Sequence, residues 1–157
     1  MDILTPKGQR TVREEDDAVD LFTRRFPQYA YARTPKDMPS PVDAILIKDG
    51  LISAVVETKC RQMTMETFVG AFKMEWLVTG QKIEDGVAIA KALCVSYVGF
   101  LYLVPDKTLL VAKVWDGDYI TPIRWARTET QATVNGGIAT RVNAFINMSK
   151  ATEINYD

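Results

Sequence analysis

An α/β fold is predicted, with a central mixed sheet flanked by helices and a C-terminal β-hairpin extension. Three observations carry it. Stretch 43–59, DAILIKDGLISAVVETK, reads as two short strands joined at Lys48-Asp49-Gly50 and apolar on both faces. That pattern belongs to strands central in a sheet covered on each side. Segments of helical period precede and follow this hairpin, and two apolar strand-like segments, 95–104 and 108–115, come after them. The 157 residues are read as one domain, with a core over about 11–115 and a β extension over about 119–157.

Residues 1–10 are polar, contain Pro6 and Gly8, and read as a lead-in. The first helix is expected at 11–26, capped by Thr11, with Glu14 closing a capping box. Its apolar face is Val12, Val19, Phe22 and Phe26, with Ala18 at the edge. Glu15 falls in the middle of that face, whereas Glu14, Asp16 and Asp17 point elsewhere. A carboxylate so placed needs a partner, because burying it alone is costly; otherwise it is one of several acids that a helix dipole favours in a first turn. Pro27 ends the helix. Residues 28–42, with Pro35, Pro39 and Pro41, form a loop or an extended edge. Tyr29, Tyr31, Arg33 and Lys36 lie here and either contact nucleic acid or cover an edge of the core.

The hairpin's register decides which side chains meet. A three-residue loop at 48–50, a type I turn with Gly50 left-handed, pairs Ile47 with Leu51. It sets Asp43 opposite Val55, on the face of Glu57 and Lys59. A two-residue Asp49-Gly50 loop turns Asp43 to the other face, so a site here requires the longer loop. Asp43 and Glu57 are then diagonal neighbours about 7–8 Å apart at their backbones. Their carboxylates can lean onto one hard cation, which prefers oxygen ligands. The alternative is ordinary: strand ends are polar because they meet solvent.

A strongly apolar helix is expected at about 64–77, with Met65, Phe68, Phe72 and Trp76 as core. Thr79-Gly80 breaks it, and whether 76–79 is helical or extended stays open. A further helix, weakened by Gly86, runs over 81–93. Strand 95–104 turns at Pro105-Asp106-Lys107 into its antiparallel partner 108–115, and Asp116-Gly117-Asp118 turns again. In the tail, Arg124, Trp125 and Arg127 precede a Thr-rich strand. Asn135-Gly136-Gly137 is a hairpin turn, and 138–146 alternates as a second strand. Arg127 and Arg141 line a nucleic-acid path, or this arm is a dimer contact or a plain sheet extension.

Composition narrows the chemistry. Net charge is −1 and the pI about 5.6, so no global basic field is present, although a local groove can still be basic. The chain has no histidine, which removes Ser-His-Asp and Cys-His nucleophilic sites and His-based metal sites. It has no Gly-rich phosphate loop, and no nucleotide cofactor is expected. Cys60 and Cys94 have neither metal nor redox spacing and are expected as free packing thiols in a reducing cytoplasm. No signal peptide and no apolar run of membrane length is seen, so no membrane partner is expected. Any catalysis falls to carboxylates, lysine and a hard metal.

Pro41-Val42-Asp43, followed by Glu57-Thr58-Lys59 on the next strand, resembles the active-site motif of the PD-(D/E)XK nuclease superfamily, the restriction-endonuclease-like fold. Val42 between the Pro and the Asp departs from the usual pattern. The order of elements agrees with that core through about Trp115, some two thirds of the chain. Length and layout look most like small phage-encoded members, which implies the host cell cytoplasm. The resemblance implies a metal-dependent deoxyribonuclease acting on DNA, with Mg2+ or Mn2+ held by Asp43, Glu57 and the Thr58 backbone carbonyl. Glu15 on the first helix would complete that shell. Lys59 would orient the attacking water or neutralise developing charge. Lys82 or Gln81 on the later helix would support the site, and Arg61 is a further candidate; a homodimer is compatible with all of this. Two alternatives stand beside it. One is a non-catalytic nucleic-acid- or protein-binding factor on the same fold. The other is an α/β interaction domain with a chance motif, which would leave Glu15, Asp43 and Glu57 far apart.

Overall fold

The computed structural model describes residues 5–35, 40–132 and 138–156, without the side chains of 130–132 and 138–139. Lys36, Pro39 and the Asn135-Gly136-Gly137 turn lie outside the described residues. Helix α1 spans Pro6–Arg25 and so begins a turn and a half before the expected start. Thr5 is the cap, accepting a hydrogen bond from the Gly8 amide at 3.0 Å, and Pro6 occupies the first helical turn, where its missing N–H costs nothing. Thr11 is inside the helix, its hydroxyl donating to the Lys7 carbonyl at 3.0 Å. The buried stripe is Glu15, Ala18, Leu21 and Phe22, whereas Val12 and Val19 are only half-buried.

Strands β1 (Tyr29–Arg33), β2 (Ala44–Lys48) and β3 (Leu51–Arg61) follow, then the short helix α2 (Met65–Gly70) and strand β4 (Glu75–Thr79). Helix α3 (Gly80–Leu93), β5 (Ser96–Leu103), β6 (Thr108–Trp115), β7 (Ile123–Ala132), β8 (Ile138–Asn147) and β9 (Thr152–Ile154) complete the chain. The main sheet runs β1-β2-β3-β5-β6-β9; β3 and β5 are parallel and the other pairs antiparallel, so the sheet is mixed as expected. Strand β5 is buried along its whole length. On one face, Ala18, Leu21 and Phe22 of α1 pack on Leu46, Val56 and Phe100. On the other, Phe68, Ile83 and Val87 pack on Val55, Leu101 and Leu110.

Several expectations need correction. The apolar helix expected at 64–77 stops at Gly70, because Lys73 and Met74 take left-handed backbone (φ 53° and 59°) and turn the chain into β4. Trp76 still reaches the core, but Phe72 is half exposed. Arg124, Trp125 and Arg127 lie within β7 rather than before a strand. The β7–β8 hairpin joins β4 in a second sheet, order β4-β8-β7, with Ala144 and Ile146 in the α3-side core. Cys94 is exposed in the left-handed position ending α3, not a packing residue; Cys60 packs partly against the α1-side core.

Gly86, read from the sequence as a weak point of α3, is required by packing. A Cβ there would lie 2.1 Å from the Tyr97 ring, which is itself buried in the core. Gly86→Ala should therefore destabilise the fold by about 1–3 kcal/mol despite alanine's higher helix propensity. Denaturant unfolding of the variant measures this, and an unchanged or raised midpoint would contradict the packing argument.

Candidate functional site

The Asp43–Glu57 pairing depends on a turn and a bulge that together differ from the expected loop. Lys48 pairs with Leu51, so the loop is the two-residue Asp49-Gly50, both residues with positive φ (54° and 75°). By itself this would turn Asp43 to the wrong face. The register then shifts: Ile47 pairs with Ile52, but Leu46 pairs with Ala54, leaving Ser53 as an extra residue on β3. The bulge restores the parity that a longer loop would have supplied. Ala44 pairs with Val56 as the last pair of β2, and Asp43 precedes it outside the strand, its carboxylate close enough to Glu57 to act on it electrostatically.

The backbone of Asp43 is fastened on both sides. Its amide donates to the Val56 carbonyl (3.0 Å), and its carbonyl accepts from the Thr34 amide and the Thr34 hydroxyl (both 2.9 Å). Its carboxylate Oδ2 accepts from the Thr58 amide at 2.8 Å. Glu57 is 1% exposed, and neither of its carboxylate oxygens has a hydrogen-bond partner. Lys59 Nζ lies 3.7 Å and Lys82 Nζ 3.6 Å from the same oxygen, Oε1. Burial, and then the facing Asp43 carboxylate, push the Glu57 pKa up from 4.5 to about 7; the two lysines pull against this. A buried acid with unbonded oxygens, facing a second carboxylate, is the environment in which a hard cation would relieve both burial cost and repulsion. Asp43, Glu57 and the Thr58 carbonyl are oxygen donors of the kind that could hold a hard divalent cation.

Glu15 is buried on the α1 side of β3. Its carboxylate accepts from the Tyr31 hydroxyl (3.0 Å) and pairs with Arg33 (3.4 Å). The Tyr31 hydroxyl also meets Thr58 Oγ1 at 2.9 Å, so Glu15 reaches the hairpin end through Tyr31. Among the described residues, no three acidic or cysteine side chains converge as a group that could hold a metal, so Glu15 does not form one with Asp43 and Glu57. Arg33 also pairs with Asp16, which ties β1 to α1.

A cleft of about 780 Å³ opens over this end of the hairpin, with Asp43, Thr58, Lys59 and Lys82 on its lining and Glu15 beside them. Arg61 lines it too, whereas Gln81 turns away to Asp85 (2.9 Å). Arg127 pairs with Val142 and Arg141 with Thr128, neighbouring positions whose side chains alternate, so the two arginines point to opposite faces of the second sheet. Sequence reasoning missed three groups. Lys7 and Arg10 enter the cleft wall because α1 starts early, and Thr5-Pro6 was the available signal. Tyr31 bridges two elements distant in sequence, and no local pattern marks it.

No helix among the described residues is long and apolar enough to cross a membrane. No family model matches the sequence, and no curated protein matches it. Among solved structures, the chain is similar to Hjc, a Holliday junction resolvase from the archaeal hyperthermophile Archaeoglobus fulgidus. The similarity has a TM-score of 0.47 at 20% identity, over 66% of this chain and 75% of that one.

Proposed function

We propose that the protein is a divalent-metal-dependent nuclease hydrolysing phosphodiester bonds in DNA. The observation that carries this reading is the Asp43–Glu57 pair at the end of the hairpin: Asp43 lines the cleft, and Glu57, buried and off that lining, has both oxygens without a hydrogen bond and two cleft-lining lysines beside it. Asp43, Glu57 and the Thr58 carbonyl would hold Mg2+ or Mn2+, which when bound polarises the phosphate and acidifies a water. Asp43 is pinned by its backbone and by the Thr58 amide, so its carboxylate is oriented before any ligand arrives. Lys59, about one third exposed at the cleft, supplies positive charge where negative charge develops on the phosphate. Lys82 places a second cation on the same carboxylate from α3. Glu15 acts on the site through Tyr31 and Thr58, as a positioning residue.

Digestion of single-stranded, duplex and branched DNA, each with magnesium, manganese or EDTA, tests the proposal. Cleavage is expected with either metal and absent in EDTA. Failure on every substrate with both metals, by folded protein, would reject it in favour of a binding factor.

A further inference from the structure

We propose that the cleft reads a nucleic-acid strand by its backbone alone, with Lys7, Arg10 and Arg61 as phosphate contacts, so that the base sequence is not selected. This rests on the nuclease reading above and names the kind of recognition that serves it.

The first support is charge placement. The protein carries a net charge of −1, yet Lys7, Arg10, Lys59, Arg61 and Lys82 all line one cleft. Glu14, Glu15 and Asp43 also line it, and each is engaged, Asp43 by the Thr58 amide. Glu14 accepts from Gln62 (2.6 Å) and faces Arg10 (3.7 Å), and Glu15 is held by Tyr31 and Arg33. A near-neutral protein that sets five cations against three acids in one concavity has a locally positive surface that attracts anions.

The second support is a local choice that costs helix stability. The positive end of a helix dipole favours acids and disfavours cations. Helix α1 has no acid in its first turn; it has Lys7 there and Arg10 just beyond. Both side chains are exposed on the cleft wall. Neither contributes to the core, so the arrangement is unfavourable for the isolated helix and favourable for a bound anion.

The third support is what the lining lacks. Among the described residues it contains hydroxyls, amines, guanidiniums, carboxylates, a thiol, a proline, a glycine and the Gln62 carboxamide, whose nitrogen is engaged by Glu14, but no aromatic ring and no large aliphatic side chain. Bases are held by stacking on aromatic rings or read through unengaged hydrogen-bonding groups at their edges. Lysine, arginine and threonine contact phosphates, which fix register and carry no sequence information.

The test is binding of short fluorescein-labelled single-stranded DNAs of unrelated sequence, by anisotropy in EDTA over a salt series, with wild type beside Lys7→Gln, Arg10→Gln and Arg61→Gln. Circular dichroism checks that each variant is folded. Wild type should bind all sequences alike. Each substitution should weaken binding roughly three- to tenfold for every sequence and lower the log–log salt slope by about one. A wild-type preference for one sequence, a loss confined to some sequences, or unchanged affinity and slope in all three variants would overturn the proposal. Because the readout needs neither metal nor cleavage, it separates the two ideas. Salt-dependent binding without cleavage sinks the nuclease and keeps the backbone-reading cleft. Metal-dependent cleavage with unaltered binding by the variants does the reverse.

Discussion

Lys59→Ala should slow cleavage about 10²–10³-fold while leaving manganese affinity largely intact, and Asp43→Ala should remove both cleavage and affinity. The difference follows from what each side chain touches. Lys59 Nζ stands 3.7 Å from Glu57 Oε1 and lines the cleft, so in the proposed mechanism its loss would remove positive charge from the phosphate and leave the proposed oxygen donors in place. Losing one such preorganised charge costs about 10²–10³ in rate. In the proposed mechanism Asp43 is itself a donor, and its carboxylate also holds the Thr58 amide, so alanine would remove a ligand and loosen the strand proposed to carry another. Calorimetric titration with manganese, run beside a cleavage assay, separates the two variants. Full activity in Asp43→Ala would end the mechanism. Loss of metal binding in Lys59→Ala would reassign the lysine to holding Glu57 in place.

The metal-free protein should lose stability as pH rises from about 4.5 to about 7, and magnesium should restore it. Folded Glu57 keeps its proton up to about 7, whereas the unfolded chain releases it near 4.5. Across that window the native state binds more protons than the unfolded state, so this group's contribution to stability falls with pH and stays lost above it. The physical causes are burial and the facing Asp43 carboxylate, only partly offset by Lys82 and Lys59. Glu57→Gln should remove this contribution and stabilise the metal-free protein above pH 7 by about 2–3 kcal/mol. The same variant should gain little from magnesium. Thermal unfolding of both proteins over a pH series, with and without magnesium, checks this. Equal midpoints above pH 7 without metal would show that Glu57 is not strained by its surroundings.

How far the site was legible is clearest in the hairpin. The acidic start and the Glu57-Thr58-Lys59 end were visible, and the Asp43 carboxylate does act electrostatically on Glu57. The route differed: the chain uses a tight Asp49-Gly50 turn and a bulge at Ser53 where one longer loop was expected. A bulge has no composition of its own, because it reflects how Leu51 and Ile52 give way to the buried run from Ala54 onward. Glu15 is a second case. Its place on the apolar stripe was legible and it is buried, but its partners Tyr31 and Arg33 come from an edge strand whose pairing is non-local.

Local periodicity, chain punctuation and residue chemistry were enough to specify the first helix, the hairpin, the helix over 81–93, the strands β5 and β6, and the carboxylates and lysine at the end of the hairpin. They act over a few residues, and the sequence displays them directly. The tertiary structure alone decided that β4 is extended and pairs with β8, that Lys82 reaches Glu57, and that Tyr31 ties Glu15 to Thr58. It also decided that the first turn of α1 walls the cleft. Each of these is a contact between segments far apart in the chain. Its energy depends on burial and on distances set only when the whole sheet has closed.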